Sequence, residues 1–237
     1  MDADEAFAQL QELMQTPEEL DPELAAYLAD TEHGWAALRH PLVYQVPYHP
    51  SMNAVSNIQL KAKREQLTKA LRRKDWNQYL FLHERAYRID AFENICWQLG
   101  SKTYWELLGD IWTDTENLWQ NLEKWRDCLT ADRRWRNHLM NAEERGTLQL
   151  YPPRFTVYRG FTAPGSVLGL SWTTNQIVAK FFARRLAPRD NLLFVAQGTV
   201  RRRDVIAYFN GRDESEIVVL PEHVRDLTFI EVPPRDA

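Results

Sequence analysis

YPPRFTVYRG, residues 151–160, marks the point where the chain changes texture. Upstream, apolar residues recur at helical spacing. After Pro152-Pro153 they fall into short runs dominated by β-branched and aromatic residues, the pattern of strands. Six strands are expected, over residues 155–161, 169–174, 192–200, 204–209, 215–220 and 227–232. One helix interrupts them, from about 176 to 186, capped by Thr174 or Asn175, with Ile177, Val178, Phe181 and Phe182 as its apolar face. The 87 residues from Tyr151 onward are too few to bury both faces of such a sheet alone, so upstream helices must cover it. The resulting reading is an α+β chain. An acidic segment and Tyr/Pro connector occupy residues 1–50, and one domain spans 51–237, helical over 51–150 and β-rich over 151–237.

The upstream residues support that division. Short helices are expected over 6–14 and 22–29, the second with Asp21 as N-cap and Pro22 at its first position. Pro41, Pro47 and Pro50, with Tyr44 and Tyr48 between them, read as an extended connector able to pack across another surface. A long amphipathic helix or helix pair follows over 56–82, then a break over 83–90 and a helix over 91–99. Trp105, Trp112 and Trp119 recur every seven residues, with Leu108, Ile111, Leu118, Leu122 and Trp125 filling the same stripe. That spacing predicts a core face, the alternative being a stacking platform for bases. Thr113 or Asp114 is placed to cap a second helix over 115–129. No internal repeat or low-complexity segment is present.

At 237 residues, 44% hydrophobic and 26% charged, the composition is that of an ordinary soluble protein. The apolar runs are far shorter than a membrane span requires, and the acidic start is unlike a secretory signal, so a cytoplasmic protein is expected. Cys96 and Cys128 lack metal-ligand spacing and read as buried thiols, and no metal is expected. The net charge of −4 conceals an uneven distribution. Ten acidic residues and no Lys or Arg lie between Asp2 and Leu38. Residues 61–74 are strongly basic, and further clusters sit at Arg133-Arg134-Arg136 and Arg201-Arg202-Arg203. These patches read first as solvated faces and second as surfaces for nucleic acid or an acidic partner. The acidic segment is a solvated appendage or an element that folds over a basic patch.

Three stretches carry the chemistry: VYRG (157–160), LSWTT (170–174) and DESEIVV (213–219). In a strand alternate side chains share a face, so Glu214 and Glu216 are expected to project together, and Ser171 and Thr173 to project opposite Trp172. Paired carboxylates repel, which is tolerable at an exposed turn and useful where one meets a cationic intermediate and the other a cationic acceptor. Arg159 at the end of an apolar strand suits a phosphate or carboxylate through paired hydrogen bonds, or a structural ion pair.

Taken in order, Arg159, Ser171-Trp172-Thr173 and Glu214-Ser215-Glu216 resemble the Arg, Ser-Thr-Ser and Glu-x-Glu motifs of the cholera-toxin-like mono-ADP-ribosyltransferases. The motifs span residues 157–219, and the lead-in LMNAEERGTLQLYPPRFTVYRG (139–160) is similar to small bacterial or phage relatives. The resemblance implies an ADP-ribosyltransferase-like fold, with the Trp-rich helical half packed on a C-terminal pair of mainly antiparallel sheets around an NAD cleft. It implies that NAD is the substrate, that nicotinamide leaves, and that ADP-ribose passes to an acceptor. Glu216 would stabilise the oxocarbenium-like ribose through its 2′-hydroxyl. Ser171 would support that geometry, with Thr173 preserving the hydroxyl layout, and Arg159 would bind the phosphate and ribose portion. Gly160 would offer its backbone to the nicotinamide carboxamide, and Phe182, with Phe181 as fallback, would stack on nicotinamide. Glu214 would orient or deprotonate the acceptor; Glu at this position implies arginine on a target protein.

Other readings of the same residues are transfer to an RNA or DNA base, NAD glycohydrolysis, and a degenerate module that binds without catalysis. A toxin or effector role, with an antitoxin or regulatory partner, accompanies the transferase reading. The sequence departs from the family pattern at Trp172 and Thr173, and in the short stretch of eleven residues between Arg159 and Ser171, where larger relatives place helices and loops. The Tyr/Pro connector or the Trp-rich helices are therefore expected to close the pocket.

Overall fold

The computed structural model describes residues 5, 14, 17–31, 34–116, 118–162, 167, 169–185 and 192–233. Over these residues the chain is mixed α/β, with eight helices and two antiparallel sheets, as an α+β reading requires. It divides into two compact units, Met1–Trp97 and Gln98–Ala237. The helix expected over 6–14, apart from Met14, lies outside the described residues. Among the described residues no helix is long and apolar enough to cross a membrane.

In the first unit Asp21 caps helix α1 (Pro22–Ala25) by accepting from the Glu23 N–H at 2.9 Å. The helix lasts about one turn, not the eight residues the sequence suggests. Strand β1 (Leu28–Asp30) instead pairs with β2 (Ala36–Arg39), which pairs with β3 (Tyr44–Gln45). Tertiary pairing here overrides local helix preference. The Tyr/Pro connector lies within this unit, where Tyr48 packs on a cluster of Leu24, Leu38, Leu42, Val43 and Leu60. The long helical stretch is a pair, α2 (Asn53–Arg73) and α3 (Trp76–Leu82), parted at Lys74 in the left-handed region. Helix α4 (Arg88–Ile95) starts three residues earlier than expected.

The second unit opens with α5 (Ser101–Asp114), α6 (Leu122–Leu129) and α7 (Ala142–Leu150). The tryptophan repeat divides here. Trp105 and Trp112 are buried on α5, with Trp112 edge-on to Trp125 of α6, whereas Trp119 is 40% exposed in a short 3-10 turn. The seven-residue spacing holds as a core face only while the helix lasts. Helix α5 runs through Thr113 and Asp114, so neither caps a following helix, and α6 starts seven residues later than expected. Cys128 is buried, but Cys96, expected to be buried as well, is only half-buried.

Six strands then form one antiparallel sheet. They are β4 (Arg154–Thr162), β5 (Ser171–Thr173), β6 (Leu193–Arg201), β7 (Val205–Phe209), β8 (Glu216–Val219) and β9 (Arg225–Val232), in the order β7-β8-β5-β4-β6-β9. The expected pair of sheets is therefore one sheet with a narrow waist. Strands β4 and β6 pair over nine residues, whereas β4 and β5 meet at the single pair Tyr158 and Thr173. Beyond that pair the two strands separate.

Helix α8 (Gln176–Arg185) covers β4 and β6, capped by the Asn175 side chain, which accepts from the Ile177 N–H at 2.9 Å. Its buried face is Ala179 and Ala183, packed with Leu193, Val195 and Val232, while Ile177 and Phe181 of the expected apolar face are exposed. The reason is close approach. A Cβ on Gly160 would lie 2.0 Å from the Ala179 carbonyl oxygen and 2.4 Å from the Ala183 nitrogen, so the contact admits only small residues. Gly160→Ala is expected to lower unfolding stability by about 1–3 kcal/mol, read as a fall in the urea midpoint.

Candidate active site

The waist of the sheet brings the three motif strands together. A cavity of about 630 Å³ lies there, and Arg159, Gly160, Ser171, Thr173, Phe182, Glu214 and Glu216 all contribute to its wall. Phe181 does not; it is 45% exposed on the outer side of α8, edge-on to Phe182. A smaller recess of about 110 Å³ adjoins the cavity at Glu214 and Glu216, lined also by Trp112, Glu116 and Arg212.

Glu216 is the best-organised group. In the β5–β8 register it stands opposite Thr173, which places Ser171 on the diagonal two residues along, within reach of its carboxylate. The Ser171 hydroxyl donates to Glu216 Oε1, and the Trp112 indole N–H donates to Oε2 at 3.2 Å. Burial pushes the Glu216 carboxyl above its ordinary value, the Ser171 and Trp112 donors pull it back, and nearby Glu214 adds to the rise. A carboxylate held this way has one orientation and little surrounding water, which strengthens its field on whatever occupies the cavity.

Arg159 faces the same space from β4. Its guanidinium donates to the Ser171 carbonyl and lies 5.1 Å from the centroid of the Trp119 ring, a cation–π contact. Burial lowers its pKa to about 10, with Glu216 opposing the shift, so the side chain remains charged at neutral pH. The exposure of Trp119 thus has a cause: its ring covers an arginine at the cavity wall.

Glu214 reaches the cavity by a route the strand pattern did not predict. Strand β8 begins at Glu216, and Asp213 and Ser215 both have positive φ (55° and 46°), so the alternation expected across 214–216 is absent. The loop is fixed from three sides. The Thr173 hydroxyl donates to the Glu214 carbonyl at 2.6 Å, Asn210 Oδ1 accepts from the Ser215 N–H at 3.0 Å, and the Arg212 guanidinium donates to the Thr113 carbonyl at the end of α5. Left-handed backbone at two non-glycine residues is strain that this anchoring holds in place. Ser171 and Thr173 do share a face, as expected, but with different tasks. Ser171 touches the Glu216 carboxylate, while the Thr173 hydroxyl is engaged with backbone on both sides, accepting from the Asn175 N–H at 2.9 Å.

Two contributors escaped the sequence reading. The spacing of Trp112 predicts a core residue, and it is buried, but a buried indole N–H requires an acceptor, and that acceptor is Glu216. Gly169 carries no motif signal. A Cβ there would fall 2.3 Å from Arg159 Cζ, so the guanidinium lies across the space its missing side chain leaves. The obstructing atoms are the end of a flexible side chain, so Gly169→Ala is expected to displace Arg159 without unfolding the protein. The melting temperature should hold while affinity for an anionic ligand placed at Arg159 falls by roughly tenfold, the loss of one charged hydrogen bond.

A cation, a hydrogen-bonded carboxylate and a second carboxylate around one largely apolar cavity suit a ligand with an anionic part and a centre where positive charge develops. A scan against protein-family models, a search of curated proteins and a search of solved structures each found no match to this chain.

Proposed function

We propose that this cavity binds NAD, cleaves the bond between nicotinamide and ribose, and passes ADP-ribose to an arginine side chain of a target protein. One observation carries the proposal: side chains from three separate motifs converge on a single cavity, with Glu216 oriented there by Ser171 and Trp112. The volume of about 630 Å³ is within the range of about 300–1,000 Å³ typical of small-molecule sites. The resemblance to cholera-toxin-like mono-ADP-ribosyltransferases supplies the assignment of the reaction and of an ADP-ribosyltransferase-like fold.

Arg159 holds the diphosphate through guanidinium forks, while Phe182 offers a ring for nicotinamide. Nicotinamide departs with the electron pair of the glycosidic bond, leaving positive charge on the ribose beside Glu216. A guanidine nitrogen of the acceptor then bonds to the ribose carbon and loses its proton toward Glu214. The missing side chain of Gly160 is filled by α8, so a role for this residue toward the carboxamide rests on its main-chain groups alone.

Glu214→Ala is expected to lower transfer to arginine by roughly 10²–10⁴-fold and to spare nicotinamide release. Incubation with labelled NAD and either protein or nucleic acid, followed by nuclease digestion, checks both acceptor and role. Label that resists nuclease and maps to arginine supports the proposal; label lost to nuclease favours a nucleic-acid base. That second reading is favoured by an arginine-lined groove at the far end of β4. Equal transfer by wild type and Glu214→Ala would remove Glu214 from the acceptor step.

A further inference from the structure

We propose that a second site, at the end of the sheet remote from the cavity, binds the phosphodiester backbone of a nucleic-acid strand. Arg154 of β4, Arg201 of β6, Arg203 in the following turn and Arg225 of β9 line a groove of about 250 Å³. This site shares no lining residue with the cavity. Five residues of extended chain separate Arg154 from Arg159, roughly 17 Å, so the two arginine sites are distinct.

The sequence pattern alone makes Arg201-Arg202-Arg203 a solvated run, and the structure divides it. Arg202 turns inward and donates to the carbonyls of Gln149 and Tyr151, both at 2.6 Å, tying the end of α7 to the sheet. Its two neighbours face the groove. Arg154 and Arg201 are direct partners in the β4–β6 register, an arrangement in which like charges repel. Among the described residues two carboxylates lie near these guanidinium groups. Asp204, the one carboxylate in the lining, lies 3.7 Å from Arg203. Asp226, beside the groove, lies 3.7 Å from Arg154 and accepts from the Thr199 hydroxyl at 2.7 Å. Among the described residues Arg201 and Arg225 have no carboxylate partner. His223 also lines the groove.

The groove thus gathers four guanidinium groups, three from strands and one from a turn, on a chain whose net charge is −4. A strand of successive phosphates relieves that repulsion by engaging several of them at once, and arginine rather than lysine favours paired hydrogen bonds to phosphate oxygens. The contacts reach backbone only, so binding should be insensitive to base sequence and strongly dependent on salt.

The test is fluorescence anisotropy of the full chain with a labelled single-stranded 20-nucleotide RNA, in wild type, Arg201→Ala/Arg225→Ala, and Lys69→Ala/Arg72→Ala as a control on a different basic surface. The groove variant should bind at least about tenfold more weakly, with the log–log salt slope reduced by roughly 1.4, while its melting temperature and the control's binding stay unchanged. No binding by wild type at low salt, or equal binding by the groove variant, overturns the proposal. So does loss confined to the Lys69/Arg72 variant. Competition by inorganic phosphate or a polyglutamate peptide at matched charge concentration, as effective as unlabelled RNA, would assign the groove to a free anion or an acidic peptide and overturn the nucleic-acid assignment.

Discussion

Glu216→Gln is expected to lower the rate of nicotinamide release from NAD by about 10²–10³-fold, with NAD affinity held within a few-fold. Gln keeps the shape of the side chain and an oxygen to accept from Ser171 or Trp112, so the change isolates the charge. That charge matters only when the ribose becomes cationic, which is why the loss belongs in kcat and not in binding. The same substitution has a signature in stability. Burial lifts the Glu216 carboxyl above 4.5, so the folded protein keeps this proton to a higher pH than the unfolded chain does. Where the folded state binds more protons, stability falls as pH rises. Wild type should therefore lose this contribution as pH climbs from 4.5 through the raised value, and Glu216→Gln should not. Urea midpoints of the two proteins compared at acidic and neutral pH read the difference directly. Activity should follow the opposite course, rising as the carboxyl ionises, with an acid limb displaced above that of a free carboxylate.

Arg159→Ala is expected to weaken NAD binding by roughly 10–150-fold, the loss of one charged, partly desolvated hydrogen-bonding group. Because its pKa is lowered only to about 10, the guanidinium is charged throughout the neutral range, and NAD affinity should be flat with pH until that region is approached. Arg159→Lys should restore only part of the affinity, since an ammonium supplies a charge without the fork. Calorimetric titration with NAD measures all three proteins. A wild type that binds NAD no better than Arg159→Ala would leave the cavity without its proposed ligand.

Local signals carried much of this molecule. Pro152-Pro153 and the β-branched runs placed all six strands of the second unit to within a few residues, and Asn175 marked the start of α8. These are short-range properties of a chain. Strand order was not legible, because the meeting of β4 and β5 at one residue pair depends on contacts remote in sequence. Leu28 and Ala29 read as helix because the β partner of their strand, Ala36–Arg39, lies beyond any local window. Trp112 and Trp119 looked alike at seven-residue spacing. One donates to a carboxylate 104 residues away, and the other shields an arginine after the helix has ended. For the site, the residue types were readable and their tasks were not. The glutamates at 214 and 216 are both at the cavity, but through left-handed backbone and not strand alternation. Gly169 gives no sequence signal because its role is the space it leaves for another side chain.

The central claim is that Glu216 cleaves NAD within this cavity. Its most direct test is chromatographic measurement of nicotinamide released from NAD by the purified protein and by Glu216→Gln. The account predicts release by wild type and a loss of about 10²–10³-fold in the variant. Equal release by the two proteins, or none by a wild type that is folded and saturated with NAD, would contradict it.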